Sequence, residues 1–498
     1  MRMGLLQQAN VSESEGEFTM KCVRETSVRC VCIALVLGIV ADLMLRVRPW
    51  GLNVFVFAGC LAAGIAVLAP DRRKAWALPI AVYGAFFVWR DSPVLRGLNL
   101  VAMVTLAVTV ALPQAVARIS RTAFVQYVGA ACDAVIGMSA GLSQSMHDIL
   151  VRAWPGPATA EVRASWIRVG ASGAIGLCIA FPLVFVFGTL FVSADIAFRT
   201  FVQHIFEVKW DTIVLHVLTI TVFAWLCGGF LHVAATDARV GFPLERSAAA
   251  LRLESLSVFI PLTLLNGLFL IFVAVQFRYF FGDASLIADP AGPTYSEYAR
   301  QGFFQLVAVA VLALFVLYAG DWLQRDASAQ ARAWFRRLAG LLIALVYLVM
   351  ASALHRMYLY YDAYGLTQLR FYTTAFMLLL GIVLVAFCST VLWGNRDRFV
   401  MIALSLAWGA VVALHLVNPD SMIVRANTAR ALAGASFDAK YHGRLSADAA
   451  PALMRLTAIE NAPVARERMK SKLSEQSTDW RTWNWSRHVA RELLGSDK

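Results

Sequence analysis

The sequence predicts an all-α fold: a polytopic helical membrane bundle of about eleven transmembrane helices, with an amphipathic interfacial helix and a small helical C-terminal tail. Composition is the first observation behind this. Of 498 residues, 59% are hydrophobic and only 15% charged, and the mean hydropathy is +0.65. A soluble chain of this length carries about a quarter charged residues, so this one needs lipid as part of its solvent. The second observation is a succession of apolar runs long enough to cross about 30 Å of hydrocarbon. The third is the placement of Lys and Arg in the short segments between those runs.

The elements follow in order. Residues 1–27 are polar and of mixed charge, unlike a cleavable leader, which makes the first apolar run, 28–45, a retained anchor. Further runs lie near 51–69, 75–89 and 97–117, completing a first transmembrane group over 28–117. A connector over 118–168 follows. Within it Phe124, Val128, Ala131, Val135, Met138, Leu142 and Ile149 recur at helical spacing, as in an amphipathic helix lying in the interface or packed against the bundle. Its Gly137-Met-Ser-Ala-Gly141 also fits the small-residue spacing of close helix packing.

A second transmembrane group over 169–417 comprises runs near 169–192, 212–235, 255–281, 302–323, 338–354, 371–393 and 399–417. The tail, 418–498, opens at Asn-Pro-Asp and is punctuated by Gly434, Leu-Ser-Ala-Asp-Ala-Ala-Pro and Asn-Ala-Pro, which predicts short capped helices.

The segments carrying Arg72, Arg73 and Lys74, then Arg239, Arg246 and Arg252, then Arg325, Arg332, Arg336 and Arg337, then Arg396 and Arg398, are the richer in positive charge. Positive charge marks the cytoplasmic side, so the chain is expected in the cytoplasmic (inner) membrane with its N-terminus inside and its tail outside. The net charge of +12, from 44 Lys plus Arg against 32 Asp plus Glu, therefore reports topology. No basic stripe interleaved with aromatics accompanies it, so no nucleic-acid partner is expected.

Catalytic signatures are missing. There is no phosphate-binding G-x-x-x-x-G-K-[ST], no dinucleotide G-x-G-x-x-G after a strand, no H-E-x-x-H and no G-x-S-x-G, and the eight His are scattered. No cofactor and no metal are expected. Cysteines 60, 178, 227 and 388 fall inside apolar runs without a C-x-x-C, as packing residues do.

What remains are ionisable groups at or within the ends of spans, where lipid makes them costly. Asp42, Asp195, His216, His232 and His415 are of this kind, and a lone His there is more often held by a neighbouring helix than used as a ligand. The densest group is HRMYLYYDAYGLTQLR, residues 355–370. It reads as an interfacial aromatic belt, or alternatively as a re-entrant polar turn that recognises an anionic or hydroxylated head group. On the predicted topology Asp195, His355, Arg356, Asp362, Arg370, Asn418 and Asp420 share the extracytoplasmic side and form the candidate polar cluster.

FVSADIAF, LLNGLFLIFVAVQFRYFFG, TYSEYARQGFFQL, RMYLYYDAYGLTQLR, NPDSMIVRANTAR and DWRTWNWSR occur in that order from about residue 185 to the end. In these motifs the chain resembles a bacterial polytopic membrane family catalogued as domain of unknown function 4173. That resemblance implies a fold and a name but no activity.

The reading favoured by the missing signatures, the connector and the compact tail is a non-catalytic envelope scaffold or regulator. Its partners would be membrane lipid and a protein or lipid-linked ligand at the outer face. The alternatives are an integral-membrane enzyme or flippase acting on a lipid-linked or phosphate-bearing substrate, and a secondary transporter. In the enzyme reading Arg356 and Arg370 grip phosphate, and Asp195, Asp362 or Asp420 serves as base. Pro182 and Pro261 are the transporter's only hint of broken helices.

Overall fold

The computed structural model describes residues 25–111, 137, 138, 141, 145, 210–236, 254–281, 303–324, 327–395, 398–456, 459 and 461–495. The predicted interfacial helix over 123–154 apart from four of its residues, the span at 169–192 and Asp195 lie outside these. Every described element is helical, and eight helices are long and apolar enough to cross a membrane. Large apolar side chains such as Leu264 and Ile271 stand exposed along them, as expected of surfaces facing lipid. Ten of the eleven predicted runs emerge as helices or parts of helices.

The principal ones are α1 (Glu25–Leu45), α2 (Leu52–Leu68), α3 (Ala77–Trp89), α4 (Pro93–Ala111), α5 (Trp210–Thr236), α6 (Ser255–Phe281), α7 (Phe303–Leu323), α8 (Ala329–Tyr364), α9 (Gln368–Phe387) and α10 (Phe399–Val417). α9 runs on through a π turn, Cys388–Leu392. The tail contains α11 (Pro419–Leu432), α12 (Ala439–His442), α13 (Ala450–Met454), α14 (Ala462–Ser474) and α15 (Trp485–Gly495).

Two compact units result, one of residues 1–46, 60–77 and 135–238, the other of 47–59, 78–134 and 239–498. In the first, α1 and α5 pack through small residues: a Cβ on Gly38 would stand 3.0 Å from that of Ala224. Gly141, the second small residue of the predicted packing motif, meets Gly229 of α5. His232 is held by the Ser145 hydroxyl at 2.7 Å, and Arg73 Nη1 donates to the Val233 and Ala234 carbonyls near the end of α5. Asp42, buried, lies 2.5 Å from His216 Nδ1 and 3.3 Å from Arg46 Nη1.

The second unit is built on α8, a helix of 36 residues where the sequence predicts a short span at 338–354. Its inner stripe, Phe335, Ala339, Leu342, Val346, Val349, Ala353 and Met357, advances at helical spacing and is buried against α6, α7 and α9. The polar residues 355–364 extend this helix and form no re-entrant turn. No Gly or Pro interrupts the chain between Leu341 and Tyr364, so the hydrogen-bond ladder persists beyond the apolar stretch. It ends at Gly365, whose φ of +77° suits the residue after a helix and whose N–H reaches the Tyr361 carbonyl at 2.8 Å.

The tail has an apolar core of its own, with Ile423, Val424, Leu453, Met469, Leu473 and Leu494 inside it. Full burial of Leu453 contributes ~2 kcal/mol.

Candidate functional site

The Asn-Pro-Asp motif explains itself in the backbone. Asn418 takes a left-handed φ of +53°, ends α10 and caps α11, its Oδ1 accepting from the Ser421 N–H at 3.2 Å. Pro419 needs no donor in the first turn of α11, and Asp420 follows where the helix dipole favours an acid. Asp420 thereby points into the end of the second unit, where the segments 47–51, 89–93, 365–368, 418–420 and the tail meet.

Three buried carboxylates gather there: Asp91 between α3 and α4, Asp420, and Asp448 in the 3-10 turn Ala447–Ala449. Asp420 Oδ1 accepts from Gln368 Nε2 at 2.8 Å, and its Oδ2 from the Ser446 N–H at 3.1 Å and the Ser446 hydroxyl at 2.5 Å. Asp448 Oδ2 accepts from the Asp91 and Ser92 N–H groups at 2.9 and 2.8 Å and lies 3.0 Å from Ser446 Oγ. Its Oδ1 lies 2.5 Å from Ser486 Oγ and 3.8 Å from Arg90 Nη1. Burial, with Asp91 and Asp420 nearby, pushes the Asp448 carboxyl up to about 6 against the hydrogen bond from Ser486 and the pull of Arg90.

Asp91 balances guanidinium groups. Arg487 Nη1 is 3.4 Å and Arg96 Nη2 3.9 Å from its Oδ1. Burial brings Arg487 down to about 10, with Asp91 opposing the shift. The remaining contacts tie this loop and the 47–51 segment to the tail: Asn484 Nδ2 donates to the Phe87 and Arg90 carbonyls, Ser486 Oγ to Trp89, and Arg487 Nη2 to Trp50. Asn418 Nδ2 donates to the Asp448 carbonyl at 3.2 Å. The arrangement fastens five segments of chain to one another by buried, charge-assisted hydrogen bonds. Among the described residues no three His, Cys, Asp or Glu side chains converge as a metal-ligand set.

The predicted polar cluster therefore divides. Asn418 and Asp420 enter this buried network, while Asp195 lies outside the described residues. His355 and Asp362 stand exposed on the far end of α8, with Arg356 half-buried beside them. Arg370 stays with α8: its guanidinium stacks 3.8 Å from the Tyr360 ring centroid and donates to the Gly365 carbonyl. Arg430 of α11 reaches the Asp362 carbonyl and lies over Tyr361. Asn427 clasps Leu366 from both sides, its Oδ1 accepting at 2.6 Å and its Nδ2 donating at 2.8 Å. His415 is satisfied internally. Its Nδ1 hydrogen goes to the Val411 carbonyl, leaving Nε2 to accept from Asn99 Nδ2 at 3.1 Å.

Asp91, Asp448, Arg90, Arg487 and Ser486 escape the sequence reading: Arg90, Asp91 and Asp448 sit in short turns, and Ser486 and Arg487 in the first turn of α15, where no local pattern marks them as partners. The usable signal was parity: 90–96, 355–370 and 418 onward all fall on one predicted side, and each brings charge to it.

No curated protein and no solved structure matches the chain. The resemblance drawn from the motifs carried another number, 4173, and began near residue 185, whereas the family found is of the same unknown-function kind and begins at residue 77. Its description, "Domain of unknown function (DUF4153)", fits residues 77–456, and the chain belongs to that family.

Proposed function

We propose that this integral membrane protein is an envelope scaffold or regulator of the cytoplasmic membrane, with its N-terminus inside, its tail outside, and an outer face that binds a protein partner. One observation carries this reading. The three acids that gather at the end of the second unit, Asp91, Asp420 and Asp448, are buried and engaged by the chain's own donors, so they act as a clamp. The surface left for a partner is the exposed end of α8, with His355, Tyr358, Asp362 and Tyr364 outermost. Ten residues beyond the predicted span extend it by ~15 Å. Arg370 on Tyr360 and Arg430 on Asp362 hold it rigid, and a preformed ridge loses little entropy on binding.

The test is native mass spectrometry of the gently extracted full chain beside its Tyr358→Ala/Asp362→Lys variant. A stoichiometric protein partner that the variant loses, with insertion unchanged, is the expected result. A retained lipid-linked or phosphate-bearing molecule, lost instead on Arg356→Ala, would replace the scaffold with an enzyme or flippase.

A further inference from the structure

The segment Asp479–Arg487 is rich in tryptophan, and three of its rings are exposed: Trp480 at 62%, Trp483 at 41% and Trp485 at 52%. Exposed indoles at this density are unusual on a surface that faces only water. Their height relative to the apolar helices is fixed by hydrogen bonds. The Trp483 carbonyl accepts from the N–H of Leu52, the first residue of α2, at 2.9 Å. Asn484 binds the Phe87 and Arg90 carbonyls at the close of α3, and Ser486 Oγ the Trp89 carbonyl. The rings thus stand at the level where two apolar helices pass into polar chain.

The inner side of this segment is fully used. Asn484 and Arg487 are buried toward the carboxylate network, which leaves Trp483 and Trp485 on either side of Asn484 facing outward. Those two rings meet edge to face with centroids 6.4 Å apart, making one continuous aromatic patch. At the same level Arg48 stacks over Trp50 at 4.9 Å and Arg90 over Trp89 at 4.5 Å. Indole has an apolar body and one N–H donor, and a guanidinium carries a fixed positive charge. That pairing suits the layer between hydrocarbon and lipid phosphate.

We infer that the Trp480–Trp485 edge of the C-terminal region is a lipid-binding surface seated in the headgroup layer of the bilayer. The tail is then held twice, by the carboxylate clamp on the bundle and by indoles in the membrane. This does not depend on the protein partner proposed above, since it needs only that α2 and α3 lie in lipid.

The experiment uses the wild-type full chain in phosphatidylcholine–phosphatidylglycerol nanodiscs, so no variant's folding enters. One sample contains phospholipid with a photoactivatable diazirine near the headgroup, a second has the diazirine at the acyl terminus, and a third receives a water-soluble diazirine. After illumination the labelled peptides are mapped by mass spectrometry. Residues 480–485 are expected to label several-fold more from the headgroup probe than from either other probe. Dominant labelling by the water-soluble probe would overturn the assignment in favour of a solvent face. Silence from all three probes would overturn it in favour of a face covered by protein.

Discussion

Ser486 Oγ lies 2.5 Å from Asp448 Oδ1 and 2.9 Å from the Trp89 carbonyl, so its single proton faces two acceptors. The carbonyl cannot supply a proton, whereas a carboxyl can. The hydroxyl donates to the Asp448 carboxylate, and once Asp448 takes up a proton on Oδ1 that hydroxyl turns to the Trp89 carbonyl. Asp448 Oδ2 then remains the acceptor for the Asp91 and Ser92 amides. Asp91, Asp420, Arg90, Arg487 and the Tyr372 hydroxyl near Ser92 are the other titratable groups around this point.

The first prediction is a pH dependence. The folded value of about 6 lies above the ordinary 3.8, so the stabilisation from Asp448 is complete below pH ~4 and is lost as pH rises through about 6. The full change is ~3 kcal/mol, of which ~1 kcal/mol falls between pH 5 and pH 8. Unfolding midpoints in mild detergent should show the wild type more stable at pH 5. Asp448→Asn, whose amide can donate to Ser486, should flatten that difference. An unchanged slope in the variant would assign the titration elsewhere.

The Asp91–Arg487 pair is buried on both sides, with side chains 5% and 4% exposed. Removing the acid alone leaves a guanidinium in a dry site, a loss of ~3 kcal/mol or more. Asp91→Ala should therefore release the tail to limited proteolysis. Asp91→Ala/Arg487→Met should recover part of the loss, since the stranded charge is gone. Additive single effects in a double-mutant cycle would deny the coupling.

The membrane bundle was legible because hydropathy alone marks a span, and the tail because Asn, Pro and Gly mark caps and breaks. Residues 355–364 left two readings open, an aromatic belt and a re-entrant turn. Polar density alone could not exclude the turn, yet polarity does not end a helix, and the first residue able to do so is Gly365. The site was half visible. Asp420 announced itself beside Asn-Pro, but Asp448 sits in Leu-Ser-Ala-Asp-Ala, which reads as mere punctuation, and Asp91 in a short turn. Their contact joins positions 357 residues apart, a separation that carries no local pattern.

Asn418 combines three duties: a left-handed backbone, the cap of α11 and a hydrogen bond to the Asp448 carbonyl. Glycine would keep the first and lose the others, whereas alanine would lose all three. Asn418→Ala should cost ~2 kcal/mol, from the missing cap and the strained φ together. Asn418→Gly should cost less. Hydrogen exchange of the first turn of α11 would read the difference, and equal protection in the two variants would refute the backbone argument.

Gly51 is where the tail comes closest to the start of α2. A Cβ there would stand 2.4 Å from the Trp483 carbonyl oxygen and 2.7 Å from that of Thr482, too close to backbone for a side chain to relieve. Gly51→Ala should push the 482–485 segment outward and break the Leu52-to-Trp483 hydrogen bond. The bundle core around α8 shares no residue with this contact, so its unfolding midpoint should hold while the tail becomes the first part to open. The check is hydrogen exchange of both regions in one sample. Faster exchange confined to 480–495 supports the close approach as the point of attachment. Unaltered exchange there would mean that the carboxylate network alone holds the tail in place.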